Sequence, residues 1–505
     1  MLLALLLSLA PSAASAAWRE ATTNHFVVYS EDSPQALRAY AEKLERFDKA
    51  LRVLHNLPDE PPTTASRVTV YVLPNVDAVA RLYGVKTQGS VYGFYVPRAG
   101  GSILYTPRPK AGEHVLELSG QTVLLHEYAH HYMLRNFSAA FPAWYIEGFA
   151  EFASTAGFPE DGSVEIGRPA NHRAASVLSQ AHLTVEEMLG GSTAKLSVAE
   201  REDLYGRGWL LTHYLTFDPG RKGHLRTYLK ALNAGKPPLE AASGAFGDLK
   251  QLGRDLNRYR MGKLRYITIP AASIGGAEVK IRELSPGENA TMAVRLRSDR
   301  GVTLEQAQKL LPDARKAAAP YPNDAAAQLM LAEAEYDAGN DAEADAAAAR
   351  ALAADAASGG AMMYRGMVRL RQARSGKGDK AALLKEARRW FVQANRRDQG
   401  NPDPLLYFYH SFDGAPTPNA VEGLMTAFEL APHDPELRML AIHRLLSDEK
   451  LPEARTALAT LAYSPHSPLA KLASALIAGI DSGKSSGKEL VQALEEGSKP
   501  EKAAA

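Results

Sequence analysis

The sequence predicts an α+β domain over residues 18–265, followed by an all-α, repeat-built helical solenoid over residues 301–485. Three observations predict it. Strand-like runs rich in β-branched and aromatic residues alternate with an amphipathic helix near the start of the chain. Two helical runs follow, each with a pair of polar residues four positions apart in an apolar setting. Beyond residue 300 the chain turns Ala- and Leu-rich and is broken at near-constant intervals by Pro-containing tetrapeptides.

The elements follow in order. His25 to Ser30 and Arg67 to Leu73 alternate as strands do. Between them Ser33 to Leu54 repeats apolar or Ala positions at Leu37, Tyr40, Ala41, Leu44, Phe47 and Leu51, the spacing of one helix face. Ser90 to Val96 and Ser102 to Tyr105 read as two short strands joined by a Pro97-Arg98-Ala99-Gly100-Gly101 turn. Gln121 to Leu134 contains neither Gly nor Pro and reads as a helix, and residues 140–265 are helical with Gly and Pro breaks.

Within that helix stands His126-Glu127-Tyr128-Ala129-His130. Residues i and i+4 share a helix face, so His126 and His130 can aim two imidazoles at one metal ion, and Glu127 can reach a water beside it. Seventeen residues past His130 lies Glu147, in the run Trp144 to Phe152, with Glu151 one turn further on. A bare H-E-x-x-H arises by chance in roughly two of a hundred chains of this length, so the motif alone decides little. Its setting adds weight. Val123, Leu124, Leu125, Tyr128, Met133 and Leu134 surround the polar residues, and buried His and Glu need partners, which a metal ion supplies. Zinc is the expected ion, with three protein ligands and a fourth position open.

H-E-x-x-H followed by W-x-x-E-G-x-A-E resembles the gluzincin metallopeptidases, which include thermolysin and the zinc aminopeptidases. Pro142 to Phe152 is most similar to the peptidase-MA-like domains of secreted bacterial proteins. The resemblance covers residues 18–265 and implies a zincin-like (thermolysin-like) catalytic domain. It makes His126, His130 and Glu147 the zinc ligands and Glu127 the general base. Glu151 becomes an acid that orients a ligand histidine. His131 matches nothing in the motif and reads as a neighbour on the helix flank. Leu204 to Leu215 resembles the Y-x-[KR]-G-x-x-[LV] helix of the zinc aminopeptidases, which implies that Tyr205 stabilises an oxyanion; ordinary core packing of Tyr205, Trp209 and Tyr214 is the other reading. No G-x-M-E-N signature is present, so the resemblance implies an endopeptidase. In gluzincins the strand before the zinc helix is a sheet edge that pairs with substrate; residues 102–105 are either that edge or part of a plain hairpin.

Residues 266–300 change character, with strand-like pieces at Tyr266 to Ile269 and Ala277 to Ile281, and read as a linker or small β element. Beyond it, Pro322-Asn323-Asp324-Ala325, Asn401-Pro402-Asp403-Pro404, Pro432-His433-Asp434-Pro435 and Pro465-His466-Ser467-Pro468 each precede an apolar helix. Pro404, Pro435 and Pro468 fall 31 and 33 residues apart. This period, with Leu331, Ala332, Gly339, Ala344 and Ala351 at matching positions, resembles degenerate tetratricopeptide repeats. The repeats imply either a concave surface for a protein partner or substrate, or a passive spacer. Residues 375–380 read as a loop insertion, and 486–505 as a disordered tail.

Composition bounds the class. The 505 residues include 58 Lys and Arg against 57 Asp and Glu, a balance that argues against a nucleic-acid partner. Leu2 to Ala10 is an apolar run followed by an A-x-A-like pattern, so residues 1–17 read as an export signal and the protein as periplasmic or secreted, from a bacterium. Nine apolar residues are too few to span about 30 Å of hydrocarbon, and no later segment reaches transmembrane length. With no cysteine, stability rests on packing and metal. The expected function is that of an exported zinc peptidase acting on peptide or protein substrates. The alternative is an inactive peptidase-like protein whose repeats form a binding scaffold in the cell envelope.

Overall fold

The computed structural model describes residues 17–84, 91–109, 116–190, 196–464 and 467–498. All but the last residue of the expected export signal therefore lies outside the described residues, as do Ser90, Pro465 and His466.

Eight strands form among the described residues: β1 (Arg19–Thr22), β2 (Phe26–Ser30), β3 (Val68–Leu73), β4 (Phe94–Val96), β5 (Ile103–Pro107), β6 (Val164–Ile166), β7 (Ile267–Ile269) and β8 (Lys280–Glu283). Six make a mixed sheet in the order β4-β5-β3-β2-β1-β8, and β6 pairs with β7. β2, β3 and β5 run parallel, whereas β4, β1 and β8 pair antiparallel with their neighbours. Of the two readings of residues 102–105 the hairpin holds and the sheet edge does not, because β4 and β5 pair antiparallel across the Pro97-to-Gly101 turn. β5 is interior, held by β3 on one side and β4 on the other, and the free edge belongs to β4.

Register sorts the two faces. Val28, Val70 and Leu104 lie side by side on one, and Tyr29, Tyr71 and Tyr105 on the other. Those three rings stack at 5.3 Å intervals, and Phe94 continues the ladder at 4.5 Å from Tyr105. In-register aromatic pairs of this kind stabilise a sheet beyond the area they bury.

The aliphatic face packs on α1 (Pro34–His55) and α3 (Gly120–Asn136) through Leu44, Leu124 and Tyr128. Ser33 caps α1 by accepting from the Ala36 amide, with Pro34 in the first turn, and Ser119 caps α3 in the same way through Thr122. Between them lies α2 (Val76–Tyr83). The N-terminal half is completed by α4 (Ala143–Ser154), α5 (Ala174–Leu178), α6 (Val185–Gly190), α7 (Val198–Phe217), α8 (His224–Asn233), α9 (Pro238–Phe246) and α10 (Leu249–Tyr259).

Residues 266–300 are not a free connector. After α11 (Ala271–Ile274), β8 completes the main sheet beside β1, and α12 (Pro286–Asp299) covers the tyrosine ladder. Met292 is buried there, Tyr105 Oη donates to the Leu296 carbonyl at 3.1 Å, and the Arg295 guanidinium lies 4.6 Å from the Tyr29 ring. The strands were legible; their partners, β6 for β7 and the N-terminal β1 for β8, were not.

Helix pairs then stack in chain order: α12 with α13 (Leu304–Ala318), α14 (Ala325–Asp337) with α15 (Asp341–Ala354), and α16 (Gly359–Arg374) with α17 (Lys380–Arg397). α18 (Asp403–His410) with α19 (Pro418–Leu430), α20 (Pro435–Ser447) with α21 (Leu451–Ala462), and α22 (Ala470–Ser482) with α23 (Gly487–Gly497) continue the stack. The first three Pro breaks run into the first residues of α14, α18 and α20, and Ser467-Pro468 precedes α22. Ala332, Ala347, Ala348 and Ala351 are fully buried, so small side chains let the helices approach closely. The expected tail is corrected in part: Gly487 to Gly497 is helical, opened by a Ser486–Glu489 capping box and anchored by buried Leu490 and Leu494.

The helical half turns back onto the N-terminal half. The β4–β5 turn is held by it: Arg98 donates to the Asp299 carbonyl at 2.7 Å, and His433 Nε2 faces the Arg98 carbonyl at 3.2 Å. Ala65 and Ala99 pack among Leu406, Leu424 and Leu437. Arg135 of α3 donates to the Leu430 carbonyl at 2.6 Å. No helix among the described residues is long and apolar enough to cross a membrane.

Candidate metal centre

α3 and α4 build the centre. His126 and His130 project from one turn of α3 with their Nε2 atoms 3.0 Å apart. Glu147, on α4 and only 1 % exposed, brings Oε2 to 3.4 Å from the first and 3.6 Å from the second. These three residues form a group that can hold a metal ion, with every donor atom within 4.8 Å of the others.

A close helix crossing sets this placement. Gly148, next to Glu147, lies against Gly208 of α7: a Cβ on Gly148 would come within 2.5 Å of the Gly208 carbonyl carbon and 2.7 Å of Thr212 Oγ1. One on Gly208 would meet the Trp144 carbonyl oxygen at 2.8 Å. Only glycine on both sides lets α4 and α7 touch backbone to backbone. α7 starts at a Ser197–Glu200 capping box and carries Tyr205 to the centre, where its ring centroid is 5.8 Å from that of His126. Burial, with the nearby Glu147 carboxylate, pushes the Tyr205 phenol well above its ordinary value, so it stays a proton donor.

Glu151 faces His126 Nδ1 at 3.4 Å through Oε1. The same carboxylate accepts from Arg173 Nη2 at 2.8 Å and meets His172 Nε2 at 2.7 Å. Burial alone would raise its pKa, but the two histidines and the Arg173 charge hold it well below the usual carboxylate range. Burial likewise opposes a charged His126, yet Glu147 and Glu151 overcome it and raise that imidazole to about 10. With Nδ1–H directed at Glu151, it is the Nε2 proton that a binding metal displaces, and that nitrogen then supplies the lone pair.

Each residue singled out from sequence is thus at or beside the centre, with His131 the exception in orientation. It points away, its Nδ1 bonded to Tyr95 Oη at 2.9 Å and its ring 4.7 Å from His433. His172 and Arg173 escaped notice because no fixed spacing marks them: they sit in a short 3-10 turn, Asn171–Arg173, brought up to Glu151 by tertiary folding. The Arg173 guanidinium also lies 4.8 Å from the Tyr205 ring, bracing it.

Two cavities share His126, Glu127 and Tyr205 in their walls. One, of about 470 Å³, runs beneath Tyr92, Phe94 and Thr122. The other, of about 560 Å³, also reaches His130 and is closed by residues of the helical half, among them Pro435, Arg438 and Leu461. Searches of family models, curated proteins and solved structures find no match to this chain.

Proposed function

We propose that this chain is an exported zinc-dependent endopeptidase of gluzincin type, its N-terminal half thermolysin-like and its helical half built of degenerate tetratricopeptide repeats. One observation carries the reading. Tetrahedral zinc with bonds of about 2.0–2.1 Å sets its donors about 3.3–3.4 Å apart, and the three donor separations here are 3.0, 3.4 and 3.6 Å. Two imidazoles and one carboxylate are also a common catalytic zinc set, with a fourth position left for water or substrate.

When bound, the ion supplies Lewis acidity and lowers the pKa of water toward about 7. Glu127 accepts the proton of the attacking water and passes it to the departing amine. Tyr205, kept protonated, donates to the carbonyl oxygen as negative charge develops there. Glu151 orients His126, and His172 and Arg173 hold Glu151. Two cavities walled by Glu127, about 560 and 470 Å³, leave room for substrate residues beyond the cut, which favours internal cleavage.

The scaffold reading has less support, because the helical half spends part of its surface on its own N-terminal half rather than leaving it for a partner. The test compares wild type with Glu127→Gln for bound zinc and casein cleavage. Zinc retained by both, with cleavage by the wild type alone, is the expected result. Cleavage by neither, on casein and a broad peptide library, overturns the proposal.

A further inference from the structure

The larger cavity has an uneven chemistry. From α3 and the segment after it come Met133, Leu134, Phe137 and Phe141, and from the helical half Leu461 and Leu469, so the chamber is largely apolar. Arg438 of α20 borders this chamber and is only 5 % exposed. Its guanidinium donates to the Ala457 carbonyl at 3.2 Å and to the Pro432 carbonyl, and sits 5.2 Å from the Phe428 ring.

Elsewhere in the helical half, well-covered arginines meet carboxylates: Arg369 pairs with Asp345 and Glu386, and Arg371 with Asp341. Arg438 has no ion-pair partner among the described residues. Burial alone acts on it, lowering its pKa to about 10, which leaves it charged at neutral pH. A buried cation without a counter-ion is costly, and two backbone carbonyls carry only partial charge. Beside it in the chamber wall, Thr460 Oγ1 is buried with no hydrogen-bond partner among the described residues. The chamber thus combines a cation held only by backbone carbonyls, a hydroxyl and apolar walls with the two histidines of the metal centre.

We infer that Arg438 is a specificity residue that binds a carboxylate of the substrate, with an apolar side chain of the same peptide filling the chamber between it and the metal centre. Guanidinium matches carboxylate geometry better than any other side chain. The carboxylate belongs either to a chain end or to an Asp or Glu side chain. The inference rests on the peptidase reading for its substrate, though not for the binding event itself.

The test uses the zinc-loaded full chain and three Leu- and Phe-containing fluorescent peptides: one ending in a free carboxylate, its terminal amide, and the amide with one internal Gln replaced by Glu. Affinity is read by fluorescence anisotropy on Glu127→Gln, which need not cleave, and kcat and KM are read on the wild type. A carboxylate peptide should bind about tenfold or more tighter than the neutral amide, the scale of one charge-assisted contact. The gain should fall on KM, vanish in Arg438→Gln and persist in part in Arg438→Lys. Preference for the free end identifies a chain terminus; preference for internal Glu identifies an acidic side chain. Equal binding of all three peptides, or discrimination that survives in Arg438→Gln, overturns the inference. Carboxylate preference in binding without cleavage of any peptide would sink the peptidase reading alone, and cleavage without preference would sink this inference alone. Should Arg438→Gln fail to fold, the wild-type comparison and Arg438→Lys decide.

Discussion

Gly148→Ala tests how the metal centre is held. The added methyl would stand 2.5 Å from the Gly208 carbonyl carbon, against ordinary carbon–carbon contact at about 3.5–4.0 Å. Neither neighbour is the far end of a flexible side chain; one is backbone and the other, Thr212 Oγ1, is held on a rigid β-branched residue within α7. α4 and α7 must therefore part by about 1 Å. Glu147 is the adjacent residue, and metal–donor distances tolerate only about 0.2 Å of error. Overpacking of this kind costs about 1–3 kcal/mol of stability. Urea melts of the metal-free protein should show that loss, and competition with a chromophoric chelator should show zinc affinity lowered by about tenfold or more, as when a supporting residue of a metal site is removed. Gly244→Ala is the control, because no atom lies within 4 Å of its Cβ position. Gly148→Ala with the stability and zinc affinity of the wild type would refute the claim that this crossing positions Glu147.

Three further outcomes are expected. Glu151→Gln removes the charge shared by His126, His172 and Arg173, so zinc affinity measured by calorimetry should fall about 10–100-fold while the fold persists. Tyr205→Phe should lower kcat on casein peptides by about 10²–10³-fold with zinc content unchanged, and an unaltered kcat would assign the residue to packing. His213 is wholly buried, with Nε2 against the Arg265 carbonyl at 2.7 Å and Nδ1 against Tyr259 Oη at 2.8 Å, and burial lowers its pKa to about 4. The unfolded chain thus takes up a proton between about pH 6.5 and pH 4 that the fold refuses; stability is complete above that window and falls by up to about 3 kcal/mol as the pH drops through it. His213→Asn should flatten the acid limb of a stability–pH curve, and an unchanged limb would assign the acid sensitivity to other groups.

What could be read from the sequence was what short-range geometry controls. One helical turn decides that His126 faces with His130, and Glu147 with Glu151, whatever the rest of the chain does. The apolar alternation of Val68 to Leu73 likewise has few solutions other than a strand. Long-range partnership was not legible. β1 and β8 are each four residues with three of them polar, and β8 makes no sense until it pairs with β1 across more than 250 residues of chain. Residues 102–105 look the same as an edge or an interior strand, since that choice is made by β4. Gly487 to Gly497 has a tail-like composition, yet Leu490 and Leu494 at helical spacing find a buried seat only because α20 and α22 are there to receive them. His172, Arg173 and Arg438 share that dependence, each meaningful only beside residues that tertiary folding delivers.

Pro435, Arg438 and Leu461 complete a chamber whose first wall, around His126, emerges from the ribosome some three hundred residues earlier. Maturation is thereby ordered in time. A nascent chain can bring the two imidazoles and the acid together before the chamber beside them has its second wall. Substitution in the late helices can likewise reshape that chamber while leaving His126, His130 and Glu147 untouched.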